Sequence, residues 1–183
     1  MLDRLGGEHA RATSIVRYAP GASYPAHRHP GGEEILVLSG VFSEEGRHYP
    51  EGWYLRNPPG SSHAPASADG AVIFVKLGQM APAGQPPVRI DTRLSSAWRR
   101  QHGRETCPLF SDAAEQVSLQ RLAPHEALFA GAIEAAEVLV VSGSLGCEGE
   151  THARGSWLRL PQGEYPDVAA GAHGATVYLR VGK

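Results

Sequence analysis

The chain has 183 residues, 42% of them hydrophobic, with 22 glycines and 14 prolines; that length suits one large domain or two small ones, with enough apolar side chains for a core. Its formal net charge is -2, from 17 basic and 19 acidic residues with no long run of one sign, which argues against nucleic acid or an anionic membrane as a direct partner. No apolar stretch reaches the ~18 residues that cross a bilayer, and the opening Met1-Leu-Asp-Arg-Leu-Gly-Gly lacks a signal-peptide core, so a cytoplasmic protein is expected.

In chain order the elements read as short strands. Residues 14–18 alternate apolar and polar, as a half-buried strand does. Residues 33–39 form a continuous apolar run after two acidic residues. Residues 52–57 form an aromatic strand that stops at Pro58-Pro59, and 71–77 are apolar and β-branched. Turn signals at Glu45-Gly46, Glu51-Gly52 and Asp69-Gly70 recur at sandwich or barrel spacing. Residues 79–114 are rich in Pro and Arg and are expected to be a linker partly laid against the domains. Within it 88–92 alternates as a strand, 94–101 and 111–116 are short helical candidates, and Leu94 and Trp98 could dock on a barrel. The two cysteines, Cys107 and Cys147, have no ligand-like or disulfide-framework spacing and read as small half-buried thiols.

An internal repeat organises the whole. Glu34-Ile-Leu-Val-Leu-Ser-Gly40 returns as Glu137-Val-Leu-Val-Val-Ser-Gly143, and Gly52–Gly60 returns as Gly155–Gly163, both at an offset of 103. The expected domains are therefore 1–78 and 115–183, two copies of one all-β fold.

The first copy carries a ligand pattern: Gly21-x5-His27-x-His29-x3-Glu33-x6-Gly40, then Gly52-x5-Pro58-x-Gly60-x2-His63. Two histidines two apart on a strand share a face. Pro30-Gly31-Gly32 turns the chain so that Glu33 starts the next strand beside them, and the Pro58–Gly60 corner brings His63 back. Three imidazoles and a carboxylate suit one divalent first-row metal. Glu34 is the rival of Glu33, but adjacent strand residues face opposite ways and only one can ligate. The remaining histidines, among them His9, His48 and His102, read as structural or surface groups. In the second copy the ligand positions hold Ala130, Ala132, Ala136 and Pro166, which predicts a degenerate domain without a metal.

These residues at these spacings resemble the two motifs of the cupin superfamily, with Ser67 where the second motif usually ends in Asn. The resemblance implies tandem jelly-roll barrels, a bicupin. The stretch Tyr18–Ser43 with Leu55–His63 looks like the ChrR cupins, which include the C-terminal domain of zinc-binding anti-sigma factors. That likeness implies zinc on His27, His29, Glu33 and His63 and a sensory role toward oxidative signals. It does not extend to sigma-factor binding, because the repeat begins within the first ~15 residues and no Cys-x-x-Cys occurs. Three roles stay open. One is a zinc sensor or ligand-binding module taking a small molecule in the first barrel. Another is an iron, manganese or nickel dioxygenase or isomerase, with Tyr24, Tyr54, Arg56 and Phe74 as possible cavity walls. The third is a metal staple in an interaction module. A homodimer is compatible with each.

Overall fold

A computed structural model describes residues 1–5, 11–80 and 86–182. The chain divides into two compact units, Met1–Arg93 and Leu94–Lys183. Both are built from antiparallel strands, as the turn spacing predicts. Among the described residues no helix is long and apolar enough to cross a membrane.

The first unit holds β1 (Asp3–Leu5), β2 (Arg11–Tyr18), β3 (Ala22–Ser23), β4 (His27–His29), β5 (Glu33–Glu44), β6 (Arg47–Pro50), β7 (Trp53–Asn57), β8 (Ser61–His63), β9 (Pro65–Ser67), β10 (Ala71–Leu77) and β11 (Val88–Asp91). Its main sheet runs β1-β2-β10-β5-β7-β11. Side chains alternate across a strand. Ile35 and Val37 of β5, Leu55 of β7, and Ile73 and Val75 of β10 therefore share the inner face, where they join Tyr18, Phe42 and Tyr49 in one apolar core. Their neighbours Glu34, Leu36, Tyr54, Arg56, Phe74 and Lys76 pair across strands on the opposite face, which is buried as well.

One long strand serves two layers. The first half of β5 pairs with β7 and β10, and its second half with β6 and β9. The change happens at Gly40, whose φ is 72. A Cβ there would sit 2.1 Å from the carbonyl oxygen of Gly70. Only glycine tolerates both the left-handed backbone and that approach, which explains the repeated Ser-Gly.

The second unit begins with a 3-10 turn, Ser95–Ala97, followed by β12 (Arg99–Gln101), β13 (Arg104–Ser111), β14 (Glu115–Leu122), β15 (Ala136–Cys147), β16 (Glu150–Ala153), β17 (Trp157–Leu160) and β18 (Ala169–Gly182). The sheet order is β12-β13-β14-β18-β15-β16, with β17 on β15. Gly143 repeats the bend, with φ 72 and an added Cβ 2.1 Å from the Gly174 carbonyl oxygen.

The stretch 79–114, expected to lie partly against the domains with a strand near 88–92, does form that strand. Its described part is built into both units: β11 extends the first sheet beside β7, and β12 and β13 open the second. The helices expected at 94–101 and 111–116 do not form beyond the single 3-10 turn. His102 and Gly103, at φ 51 and 82, make a two-residue hairpin that gives Arg99–Gln101 strand partners instead. The Asp112 carboxylate accepts from the Ala114 and Glu115 amides at 2.7 and 2.9 Å, a turn that starts β14. Trp98 stacks under the Arg121 guanidinium at 3.8 Å, while Leu94 is 56% exposed rather than docked. His9 lies outside the described residues.

Gly40→Ala and Gly143→Ala should each cost roughly 2 kcal/mol or more, from backbone strain plus a clash with main-chain oxygen. Gly46→Ala, at positive φ but with nothing within 4 Å of the added carbon, should cost only about 1 kcal/mol. Denaturant midpoints of the three variants check the order.

Candidate metal centre

The centre grows from a two-stranded ladder. β4 and β8 pair antiparallel with His27 opposite His63 and His29 opposite Ser61. Directly opposed and alternate residues share a face, so all four side chains point the same way. The turn between β4 and β5 is held by Gly32 N–H donating to His29 O at 3.1 Å, and Gly60 N–H donates to the same oxygen at 2.8 Å. Gly31 is needed there because a Cβ would meet the Gly78 backbone at 2.6 Å.

The three imidazoles form a near-equilateral triangle, with centroid separations of 4.8, 5.0 and 4.8 Å. One nitrogen from each lies within 4.8 Å of the others, close enough for a single ion. Second contacts set which nitrogen is free. His27 Nδ1 is 2.9 Å from the Pro25 carbonyl, which only accepts, so Nδ1 carries the proton and Nε2 the lone pair. His63 Nδ1 is 2.6 Å from Glu44 Oε2, leaving Nε2 for the site. His29 Nε2 and His63 Nε2 stand 3.0 Å apart. Two ring nitrogens that close need a proton or a cation between them.

Glu33 begins β5 on the inner face and reaches two of the three histidines. Its oxygens lie 3.6 Å from His29 Nε2 and 3.5 Å from His63 Nε2. Glu34 faces the other way and pairs with Arg56 at 2.8 Å, both buried. Tyr54, Arg56 and Phe74 lie on that same outer face, so they do not line the cavity as considered above. Tyr24 is 49% exposed and packs edge-on against Tyr18.

Burial, then the neighbouring His63 and His27, push the His29 pKa down to about 4, so this imidazole is neutral at ordinary pH with its lone pair available. Burial also raises the Glu33 carboxyl, against the opposing pull of His63 and Asn57. For His63, burial acts downward but the Glu44 hydrogen bond and the Glu33 charge outweigh it and raise its pKa. Tyr18 is pushed up to about 12 by burial and Glu33, so it stays a phenol beside the site.

Sequence reasoning missed Tyr18, Glu44, Asn57, Ser61 and Arg89. Ser61 shares the face of the histidines, and among the described residues its buried Oγ has no hydrogen-bond partner. Buried hydroxyls are normally paired, so this one is left for something inside the site. Together with three nitrogen donors and a carboxylate, it makes the residues a good fit for a metal ion with an added small ligand or water.

The model of the ChrR cupin-like domain family matches residues 1–81. The first unit is a ChrR-like cupin domain. Among solved structures the chain resembles a candidate dioxygenase from Nostoc punctiforme, with TM-score 0.77 and 16% identity over 94% of this chain and 69% of that one. It also resembles the salicylate 1,2-dioxygenase of Pseudaminobacter salicylatoxidans, with TM-score 0.66 and 11% identity over 94% and 71%. A third is a cupin 2 conserved barrel domain protein of Leptotrichia buccalis, with TM-score 0.64 and 14% identity over 99% and 88%. Such identities speak for fold alone, and the matches run through both units, so the fold is that of a tandem cupin. No curated protein sequence matches it. Within the cupin frame, the second copy keeps the strands and replaces the polar centre. Ala136 stands for Glu33, Cys147 for Glu44 and Leu160 for Asn57, and all three belong to an apolar core.

Because His29 titrates lower in the folded cupin than in the unfolded chain, the unfolded state holds more protons between about pH 4 and 6.5. Its contribution to stability therefore rises with pH across that window. His29→Gln in metal-free protein should flatten this rise, measured as the difference in urea midpoint between pH 4.5 and 6.5.

Proposed function

We propose that the first cupin domain binds one divalent transition-metal ion through His27, His29, His63 and Glu33, zinc before iron, manganese or nickel, and works as a sensory or ligand-binding module for a small molecule. The observation that carries this reading is the convergence of the three imidazole nitrogens within 4.8 Å with the buried Glu33 against two of them. Zinc is favoured by the ChrR family likeness, and a nitrogen and oxygen donor set without sulfur also suits iron, manganese and nickel. A bound ion would supply a Lewis acid for an oxygen-bearing ligand. His27 is exposed on the outer side, which keeps the centre reachable, while the Ser61 hydroxyl and the Tyr18 phenol offer such a ligand hydrogen bonds. The thiols are unsuited to redox sensing: Cys107 and Cys147 are both buried, and burial raises the Cys107 pKa to about 11.

A second reading, a metal-dependent dioxygenase, is supported by the accessible centre and by the likeness in fold to the salicylate 1,2-dioxygenase barrel. The second domain, with Ala130, Ala132, Ala136 and Pro166 at the ligand positions, serves in either case as a metal-free scaffold.

Elemental analysis of protein from its native host separates the readings. About one zinc per chain, lost in His27→Ala/His29→Ala, supports the sensory module. About one iron, manganese or nickel with oxygen uptake on a small aromatic or oxygenated acid supports the dioxygenase. Absence of metal in wild type defeats both. In a separate measurement, free metal at 100 times its dissociation constant should stabilise wild type by about 2.7 kcal/mol. His63→Ala should lose most of that gain in a thermal melt.

A further inference from the structure

Resting on the metal-binding reading above, we propose that Arg89, from a strand outside both ligand motifs, is the positioning residue of the centre, holding His63 through Glu44 and Glu33 through Asn57. One nitrogen makes both connections: Arg89 Nη2 donates to Glu44 Oε1 at 2.7 Å and to Asn57 Oδ1 at 2.6 Å. From Glu44 the chain of contacts continues through Oε2 to His63 Nδ1 at 2.6 Å. From Asn57 it continues through Nδ2, which donates to Glu33 Oε2 at 3.1 Å. The bond from Arg89 also fixes the amide, because an Asn whose oxygen accepts from the guanidinium must turn its NH2 toward Glu33. One branch thus sets the tautomer and ring angle of a histidine, and the other sets the oxygen that a carboxylate presents. Partners of this kind orient metal ligands and raise their basicity.

Arg89 is itself anchored. It donates to the carbonyl oxygens of Val88 and Arg56 at 2.8 and 3.3 Å and to the Tyr49 hydroxyl at 3.3 Å, and its guanidinium lies 5.7 Å from the Tyr49 ring centre. The backbone of β11 is locked to β7 with Arg89 opposite Leu55. The guanidinium is therefore a fixed point, not a loose surface charge.

The internal repeat supplies a control within one molecule. If Glu44 and Asn57 served the barrel, the second copy would keep them. It has Cys147 and Leu160 in the same strand registers, opposite Glu150 and Ala136, and both sit in the apolar core. Among the described residues β17 has no edge strand corresponding to β11 on β7. The ligands, the two relays and the arginine are thus absent together from a barrel that folds the same way.

The test is zinc and cobalt titration of the full chain against a chromophoric chelator, with the visible spectrum of the cobalt form and the melt of the metal-free form. Arg89→Met should weaken metal binding by about 10- to 100-fold and change the cobalt spectrum, and Arg89→Lys should recover part of both, since a single cationic nitrogen makes the two contacts. Asn57→Leu copies the residue of the second barrel. It should also weaken binding, with a metal-free melting point at or above wild type, and it decides the matter if Arg89→Met does not fold. Arg93→Met, which removes an exposed pair with Asp91, should leave binding unchanged. Wild-type affinity and spectrum in Arg89→Met or Asn57→Leu would overturn the proposal while leaving metal binding standing. A wild-type chain that takes up neither ion would overturn both.

Discussion

Among the described residues three carboxylates are buried inside the first unit: Glu34, which pairs with Arg56 on one face, and Glu33 and Glu44 on the other, each about 5% exposed; the arrangement around the last two answers the cost of taking charge out of water. An unpaired buried carboxylate is expensive, and pairing offsets that cost only when geometry is good and remaining lone pairs are used. Here Glu44 is held by a histidine and an arginine, and Glu33 by an amide and two histidines. His29 stays neutral because it sits in the same crowded, desolvated corner as two other imidazoles. A cation among the three ring nitrogens would lie against the same buried carboxylate, Glu33.

The two copies show two solutions to one barrel interior. In the second, alanine, leucine and a buried thiol fill the corresponding positions and the core runs on uninterrupted through Val138, Val140, Leu158 and Leu179. The buried carboxylate of that unit, Glu115, is outside this core and pairs with Arg180. In the first, the buried apolar cluster is smaller. The first gives up apolar burial to host polar groups, and the second keeps a continuous apolar interior.

The chemistry available at the centre follows from what is rigid and what is open. The β4–β8 ladder and the glycine corners fix the ligand directions, so little reorganisation accompanies binding. His27 is exposed, the buried Ser61 Oγ has no hydrogen-bond partner among the described residues, and the Tyr18 phenol is near enough to Glu33 for that charge to raise its pKa.

Much of this was legible in the sequence. The repeat, the strand alternation and the His27, His29, Glu33 and His63 spacing need only local rules: period two along a strand, and turns where Pro and Gly cluster. Alternation lets only one of Glu33 and Glu34 face the histidines, and the repeat, which keeps Glu34 as Glu137 in the copy without the ligands, points to Glu33. What tertiary structure alone decided is the set of partners that arrive from far along the chain. Arg89 reaches Glu44 across 45 residues and Asn57 across 32, and no local period encodes which strand will lie at the sheet edge. The fate of 79–114 was hidden for the same reason, because composition marks turns and proline but not the free edge of β7 that recruits β11. Side-chain networks are long-range facts: sequence specifies the groups that need partners, and only the folded sheet order determines which ones they find.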